Sequence, residues 1–521
     1  MPSKTYDNFS AGHYGNLDPA KAPEGSFSGR NVLVYRDGTL GPRPGFRAHN
    51  FGRVPTARVQ GFTHMENGEW PLVYVEGTNA YRAKAPDAVN PTDVRLVGSV
   101  GPTPTEHQIT IYDAGLDLGG GYIHVPEGKS YRLTALQTDV GGGVLTALTA
   151  ATNSKGAGCV YGERLFVVGE ALQASTIFYS GAANDATWAA ADFFKVGLSK
   201  TLAFIGSHRG YMTIGTNDGK WYVLSGTPAT GTLRRITDPS AAPAILVAPA
   251  CAVGGNNLYF IAPQGTTPSI FDGVKVTELT HLQMTRPHVP YGQDIRIGPS
   301  QAHDLVRAIM VMPESPFLYV KAGNGRAMLL NHGAWTRHDF DVALDRDWAA
   351  DGRGRIYAFE QWTGTPGQRM FVTDISLERP AYTTDLFASP GDDSNVPIDA
   401  QASLPQFHQP GGTEVRVRQV IVDIYKWNTG AAEANQLDVA IDTFGRRGLA
   451  GVSTATRSWT EAGALTPPSV DGIRGTPDRI VLDYPATTPG GGFQVRFPVM
   501  RGVGIRSVEV IYDEYPGRPR R

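Results

Sequence analysis

The chain has 521 residues, among them 62 Gly, 37 Pro and two Cys, and a formal net charge of −2. That length suffices for two to four domains, or for one large repeat domain with an appendage. The charge balance excludes an overall basic field able to hold nucleic acid through its phosphates. Gly and Pro near a fifth of the chain without a collagen period, with aromatics at 10%, describe many turns joining short strands.

Residues 1–49 form an arm of turns around one apolar run, "RNVLVYR", bounded by "SFSG" and "DGTLGPRPG". In "GPRPGF", Pro42 and Pro44 fix φ and Gly45 permits the turn, so the segment reads as a rigid corner. The opening "MPSKTYDNFS" lacks a signal-peptide profile, and the longest apolar run, "AILVAPACAV", is broken by Pro249 and is too short to span a membrane. Cytoplasmic synthesis and folding are expected. Cys159 and Cys251 sit singly in apolar settings, as small buried side chains do, rather than in a disulfide framework or a zinc site.

From residue 50 to 385 one pattern recurs: an apolar strand, a Gly/Asn/Asp turn, a second strand with an aromatic, then a polar loop. In "YMTIGTNDGKWYVLSG" the turn Asn217–Gly219 marks a hairpin. About seven such units, roughly 40 to 55 residues apart, predict a β-propeller of about seven blades. Trp188, Trp221 and Trp335 are expected within or between blades. "SGAANDATW" and "TNDGKW" resemble the Asp-box turn of sialidase-type propellers, a structural motif in which the Asp caps a hairpin. Residues 386–412 read as a linker with an edge strand. The alternating segments of 413–521 predict a C-terminal antiparallel β-sandwich. On its strand "EVRVRQVIVDIY", Arg416 and Arg418 are expected to point away from the core and to meet carboxylates such as Asp392 and Asp393 of a neighbour. The fold class is all-β.

Chemistry-bearing motifs are absent from the sequence: there is no HExxH, GxSxG, P-loop or strand–helix GxGxxG. "GDDSNVPID" lacks the sixth-position Gly and terminal Glu of an EF-hand loop and reads as solvated linker. His332 and His338, flanking Trp335, read as surface or packing residues. A glycosidase needs two facing carboxylates; the best available, Glu360 beside Trp362 and Asp192 near Trp188, read as ordinary surface residues. No catalytic, cofactor-binding or metal-binding residue is assigned, no cofactor is expected, and the chain is expected not to be an enzyme.

"NFSAGHYGNLDPAKAPEGSFSGRNVLVYRDGTLGPRPGF" resembles the opening of a family of tailed-bacteriophage tail proteins, through Asn8, Phe9, Ser10 and Gly12, then Asn31, Val32 and Gly38, then Arg43, Pro44 and Gly45. "YSGAANDATWAAADFFKVG" with the hairpin after it, "NHGAWTRHDF" around Trp335, and the closing "GGFQVRFPVMRGVGIRSVEVIYDEYPGRPRR" resemble later parts of the same family. The resemblance implies a tail nozzle or tail accessory (stabilization) protein, related to minor tail proteins: a virion component, assembled in the host cytoplasm. Such a protein forms a ring, here expected to be a hexamer, that continues the DNA exit channel. Its partners would be copies of itself, adjacent tail, connector or fibre proteins, and genomic DNA passing without specific binding. Phe9, Asn31, Arg43, Pro44, Gly45, Trp188, Trp221, Trp335, Arg416 and Arg418 are the structural or interface candidates.

The strand in "RNVLVYR" is expected either to close the propeller by pairing with its last blade or to pair with an adjacent subunit. Removal of residues 1–30 would then leave a folded monomer. The alternative function is a virion-attached carbohydrate-binding or glycoside-hydrolysing propeller.

Overall fold

The computed structural model describes the chain apart from residues 14–18, 23, 36, 44, 46, 50–52, 66–69, 85–93, 102–108, 114–119, 135–143, 150, 152, 170–172, 197–200, 217–219, 237–250, 255–256, 262–267, 279–317, 323–325, 332–333, 340–343, 351–354, 361, 375–383, 387–394, 399, 410–412, 427–434, 446–447, 462–475, 486 and 516–521. Among the described residues the regular elements are strands and short 3-10 turns, such as Phe9–Ala11 and Pro19–Lys21. Short apolar runs with β-branched and aromatic residues, closed by Gly turns, leave no stretch with a 3.6-residue apolar stripe. The turn Asn217–Gly219, Pro44, Asp392, Asp393 and the basic tail lie outside the described residues.

Sheets follow one another along the chain as antiparallel meanders. The first contains Val59–His64, Leu72–Glu76, Asn79–Ala83 and Val94–Ser99. The second contains Thr110–Asp113, Gly121–His124, Ser130–Thr134 and Val144–Ala147. Ser154–Tyr161, Arg164–Gly169, Thr176–Tyr179 and Phe193–Lys195 make the third. Leu202–His208, Tyr211–Thr216, Trp221–Ser225 and Thr232–Ile236 make the fourth. A fifth begins at Cys251–Gly254 and ends at Val276–Glu278, and a three-stranded sixth spans Leu318–Ala322, Arg326–Asn331 and Ala334–Asp339. The last is built on Leu344–Ala350, Arg355–Glu360 and Met370–Asp374.

From the first to the fourth, successive sheets bury their faces against each other, so their central strands are apolar on both sides. All of Leu72–Glu76 is buried. Val73, Val75 and Ala80 of the first sheet pack with Ile123, Val125 and Leu133 of the second. Phe166, Val168 and Ile177 of the third pack with Ile205, Met212 and Ile214 of the fourth. The first and last sheets also meet: Phe62 and Tyr74 pack on Phe359, with ring centroids 5.0 and 5.6 Å apart, amid Val59, Leu72, Tyr357 and Met370. The strand next to Met370–Asp374 comes from the other end of the chain. Arg47–His49 pairs with it antiparallel, Arg47 opposite Val372 and His49 opposite Met370.

Thr384–Leu386 pairs with Asn395–Pro397 and lies beside Arg47, extending the last sheet; the other strands form two sheets that share one core. In one, Val503–Tyr515 lies between Glu414–Lys426 and, on its other edge, both Ser3–Asp7 and Leu40–Pro42. In the other, Gly492–Arg501 pairs with Asn435–Gly445, which carries the edge strand Gly448–Glu461. Ser26–Arg30 joins this sheet through Ala400–Ser403. The stretch read as a linker is therefore partly structural: Ala400–Ser403 and Phe407–His408 are strands of this sheet.

Two expectations for the N-terminus are corrected. Val32–Val34 pairs with Leu40–Pro42, not with the last meander; the strand that does so is Arg47–His49. Nor does the packing agree with a folded monomer after removal of residues 1–30, because Tyr6, Phe9, Phe27, Val32, Val34 and Leu40 are core residues packed with Val415, Val439, Phe493 and Val508. Phe27→Ala is expected to cost about 3–5 kcal/mol, measured as a shift in the urea midpoint. Deleting residues 1–30 removes Tyr6, Phe9 and Phe27 together, so the truncated chain is expected to lose the C-terminal core. Limited proteolysis reads this as rapid cleavage after residue 400, and a protease-resistant C-terminal part would contradict the packing.

Candidate functional site

Asn31, Val32 and Arg43, three of the residues singled out in the opening segment, meet at one buried polar joint. Asn31, at φ 57°, turns the chain between Ser26–Arg30 and Val32–Val34. Its side-chain oxygen accepts from Arg43 Nε at 3.1 Å, and its carbonyl accepts from the Arg43 backbone N–H at 2.8 Å. Arg43 and Gly45 are buried. Arg43 directly follows the strand Leu40–Pro42 and is 2% exposed.

The third member comes from the sixth meander. His338 is buried, with Nε2 3.0 Å from the Val32 carbonyl oxygen and 3.2 Å from Thr336 Oγ1. A carbonyl can only accept, so the proton sits on Nε2. Burial, with the Arg43 charge adding to it, pushes the His338 pKa down to about 3, against a smaller upward pull from the Val32 carbonyl. A neutral imidazole thus joins the meanders to the terminal body. Trp335 lies on the same strand, opposite Leu330. Its side chain lies outside the described residues.

The other candidates sit in joints between meanders. In the "SGAANDATW" loop, Asp185 is buried and reaches back to the second sheet. It accepts from Tyr122 OH at 2.8 Å and pairs with Arg132 Nη1 at 3.0 Å. Trp188 Nε1 donates to the Asp185 carbonyl at 2.7 Å, and the indole packs on Tyr122, Leu148, Ala151, Leu165 and Val167. The Asp185 carboxylate therefore ties one sheet to the previous one, while Asn184 Oδ1 caps the turn by accepting from the Ala186 N–H. Trp221 is 2% exposed and stacks on Phe271 of the fifth sheet, with centroids 5.3 Å apart.

The two glycosidase candidates hold backbone and side chains in place. Glu360 makes a two-pronged pair with Arg369, both contacts at 2.9 Å, and its carbonyl accepts from Gln368 Nε2. Gln368 in turn accepts from the Val59 N–H across the first–last junction. Asp192 accepts from the Ala189 N–H, and its carbonyl accepts from the Tyr179 N–H. Asp192 adjoins the third sheet and Glu360 ends a strand of the last, and among the described residues no group of His, Cys, Asp and Glu is placed to hold a metal ion.

Arg416 and Arg418 do not await a neighbour's carboxylates. Arg416 donates to the Pro485 carbonyl, and Arg418 pairs with Asp513 of the adjacent strand. A register shift between Val417 and Gln419 lets Arg418 and Gln419 both face outward. Three structural residues had no sequence signal: His338 as a joint, Gln368, and Glu76. Glu76 is 3% exposed and grips Arg53 at 2.8 and 2.9 Å and the backbone of Thr56 at 2.8 Å.

No known family model matches the chain, and no curated protein matches it. Among solved structures it is similar to BamB from Moraxella catarrhalis, at 11% identity over 71% of this chain and 98% of that one, with a TM-score of 0.37. It is also similar to the Neurospora crassa Pan2 WD40 domain, at 11% identity over 63% and 94%, with a TM-score of 0.38. The AfRom2 CNH domain is similar at 9% identity over 63% and 99%, with a TM-score of 0.38. Likeness this loose identifies neither a family nor a function.

The joints make stability depend on pH. His124, in the second sheet, is also buried, shares a 2.7 Å hydrogen bond with Ser130 Oγ, and has a pKa pushed down to about 3 by burial. Both histidines have folded pKa values below the unfolded value near 6.5. Their contribution is complete above about pH 6.5 and is lost as pH falls from there toward 3, at up to about 1.4 kcal/mol per pH unit for each. Urea midpoints between pH 7.5 and 4 are expected to fall with pH, and His338→Gln to flatten that slope. A second expectation concerns Trp221→Ala, which should cost about 3–5 kcal/mol; an unchanged melting temperature would contradict its burial.

Proposed function

We propose that this chain is a structural component of a bacteriophage tail, working by assembly rather than catalysis. In this reading the seven successive sheets are the blades of a β-propeller closed by Arg47–His49, and the two sheets of the terminal body are a β-sandwich. Several copies form a ring that continues the DNA exit channel and offers its outer surface to neighbouring tail or fibre proteins. One observation carries the reading. The residues of the tail-protein resemblance, Asn31, Val32 and Arg43, meet His338 about 300 residues away and join the two bodies. A sequence pattern invested in joining parts suits a component that must hold its shape while DNA passes. The small net charge of −2 suits a channel to which DNA must not adhere.

Light scattering and negative-stain imaging of the purified chain test the proposal, with a symmetric ring of several copies as the expected result. A monomer at high concentration that binds a saccharide on a glycan array would overturn it. In assembled particles, Glu360→Gln is expected to leave infectivity unchanged. It removes one half-exposed ion pair worth about 0–1 kcal/mol, and in this reading no reacting group.

A further inference from the structure

The strand Val503–Tyr515 would be exposed along residues 507–511 were it not for Ser3–Asp7, which pairs with it from Ser3 opposite Ile511 to Asp7 opposite Ser507. Val508 and Val510 beneath that edge are fully buried, so the edge lies over the core and needs a partner strand. The covering strand is lightly held. Of its five residues only Tyr6 is buried, its hydroxyl donating to the Pro405 carbonyl at 3.3 Å. Lys4 adds a surface ion pair with Glu24 at 2.6 Å.

Immediately after the strand, Asn8 takes φ 50°, a left-handed conformation in a non-glycine residue. Phe9, 1% exposed, is the first residue anchored deep in the core, and its N–H donates to the Gly38 carbonyl. The strand therefore hangs from a one-residue hinge in the left-handed conformation that Asn tolerates, with a fixed anchor behind it. A short hinge beside an identical element in a second copy allows exchange, because exchange keeps every contact.

We propose that residues 1–7 are an exchanging strand, which in the assembled protein pairs with residues 507–511 of a second copy. Only Asn8 separates the anchored Phe9 from Asp7, so Asp7 stays within about 7 Å of this copy's Phe9 and residue 507 of the second copy must come up beside it. Each copy then donates one strand and accepts one, a head-to-tail arrangement that closes into a ring when the rotation allows. The inference rests on the proposed ring and names its linkage.

Thr5 and Glu509 are register partners with side chains off the core, so cysteines there report the pairing. In a Cys251→Ser background, tagged Thr5→Cys and untagged Glu509→Cys chains are mixed, incubated at the assembly concentration and oxidised. A chain carrying both substitutions is oxidised in parallel. A disulfide-linked dimer of one tagged and one untagged chain on non-reducing gels is the expected result. The proposal is overturned if the double variant closes within one chain while the mixture stays monomeric. It is equally overturned if neither sample forms the bond, since the strand would then not occupy that edge. Light scattering on the same samples separates this from the ring itself. Rings without cross-chain disulfides refute the exchange alone, and linked pairs that never form rings refute the ring alone.

Discussion

The fold depends on strand pairing between the two ends of the chain. Val503–Tyr515, near the C-terminus, is flanked on one edge by Ser3–Asp7 and Leu40–Pro42, and Arg47–His49 extends the last meander. The same forty-nine residues thus complete the terminal core and extend the sheet that packs against the first meander. Closing a loop that long costs entropy that grows only slowly with length, and burying Phe9, Phe27, Val32, Val34 and Leu40 repays it with apolar area. Both bodies therefore rely on one short, turn-rich segment, and Gly and Pro are what let it change direction so often.

Buried polar side chains mark where the pieces meet. His338 with the Val32 carbonyl beside the Asn31–Arg43 pair, and Asp185 with Tyr122 and Arg132, connect different sheets, and Glu76 with Arg53 and Thr56 fixes the segment that enters the first sheet. A buried polar group without a partner costs more than a made hydrogen bond contributes. Such groups consequently penalise wrong dockings more than they stabilise the right one. Close packing adds to the selection: a Cβ on Gly158 of the third sheet would lie 2.3 Å from His124 Nε2, so the backbone approaches the imidazole with no room for a side chain.

Glu360 and Asp192 show how a sequence pattern can suggest chemistry that geometry redirects. Each stands near a tryptophan in sequence, as a sugar-cleaving carboxylate would. In the folded chain Glu360 steadies Arg369 and lies next to the Gln368 bridge, while Asp192 caps a turn. Arg416 and Arg418 likewise find partners within the chain, the Pro485 carbonyl and Asp513.

The sequence by itself determined the all-β class, because its apolar runs are short, rich in β-branched residues and cut by Gly turns. It also determined which side chains of Glu414–Lys426 face inward. Val415 and Val417, then Val420, Val422 and Ile424 are buried, with the phase change at Arg418–Gln419 visible as two successive polar residues. The tertiary structure alone decided which strands pair: "RNVLVYR" and Arg47–His49 look equally able to extend a sheet, and only the second does so for the last meander. It alone made His338 a joint and Asp185 a clamp between sheets. The physical reason is that alternation and turn chemistry act over a few residues. Sheet partners, and the polar contacts that fix them, are chosen across hundreds, where only the packed core sets the register.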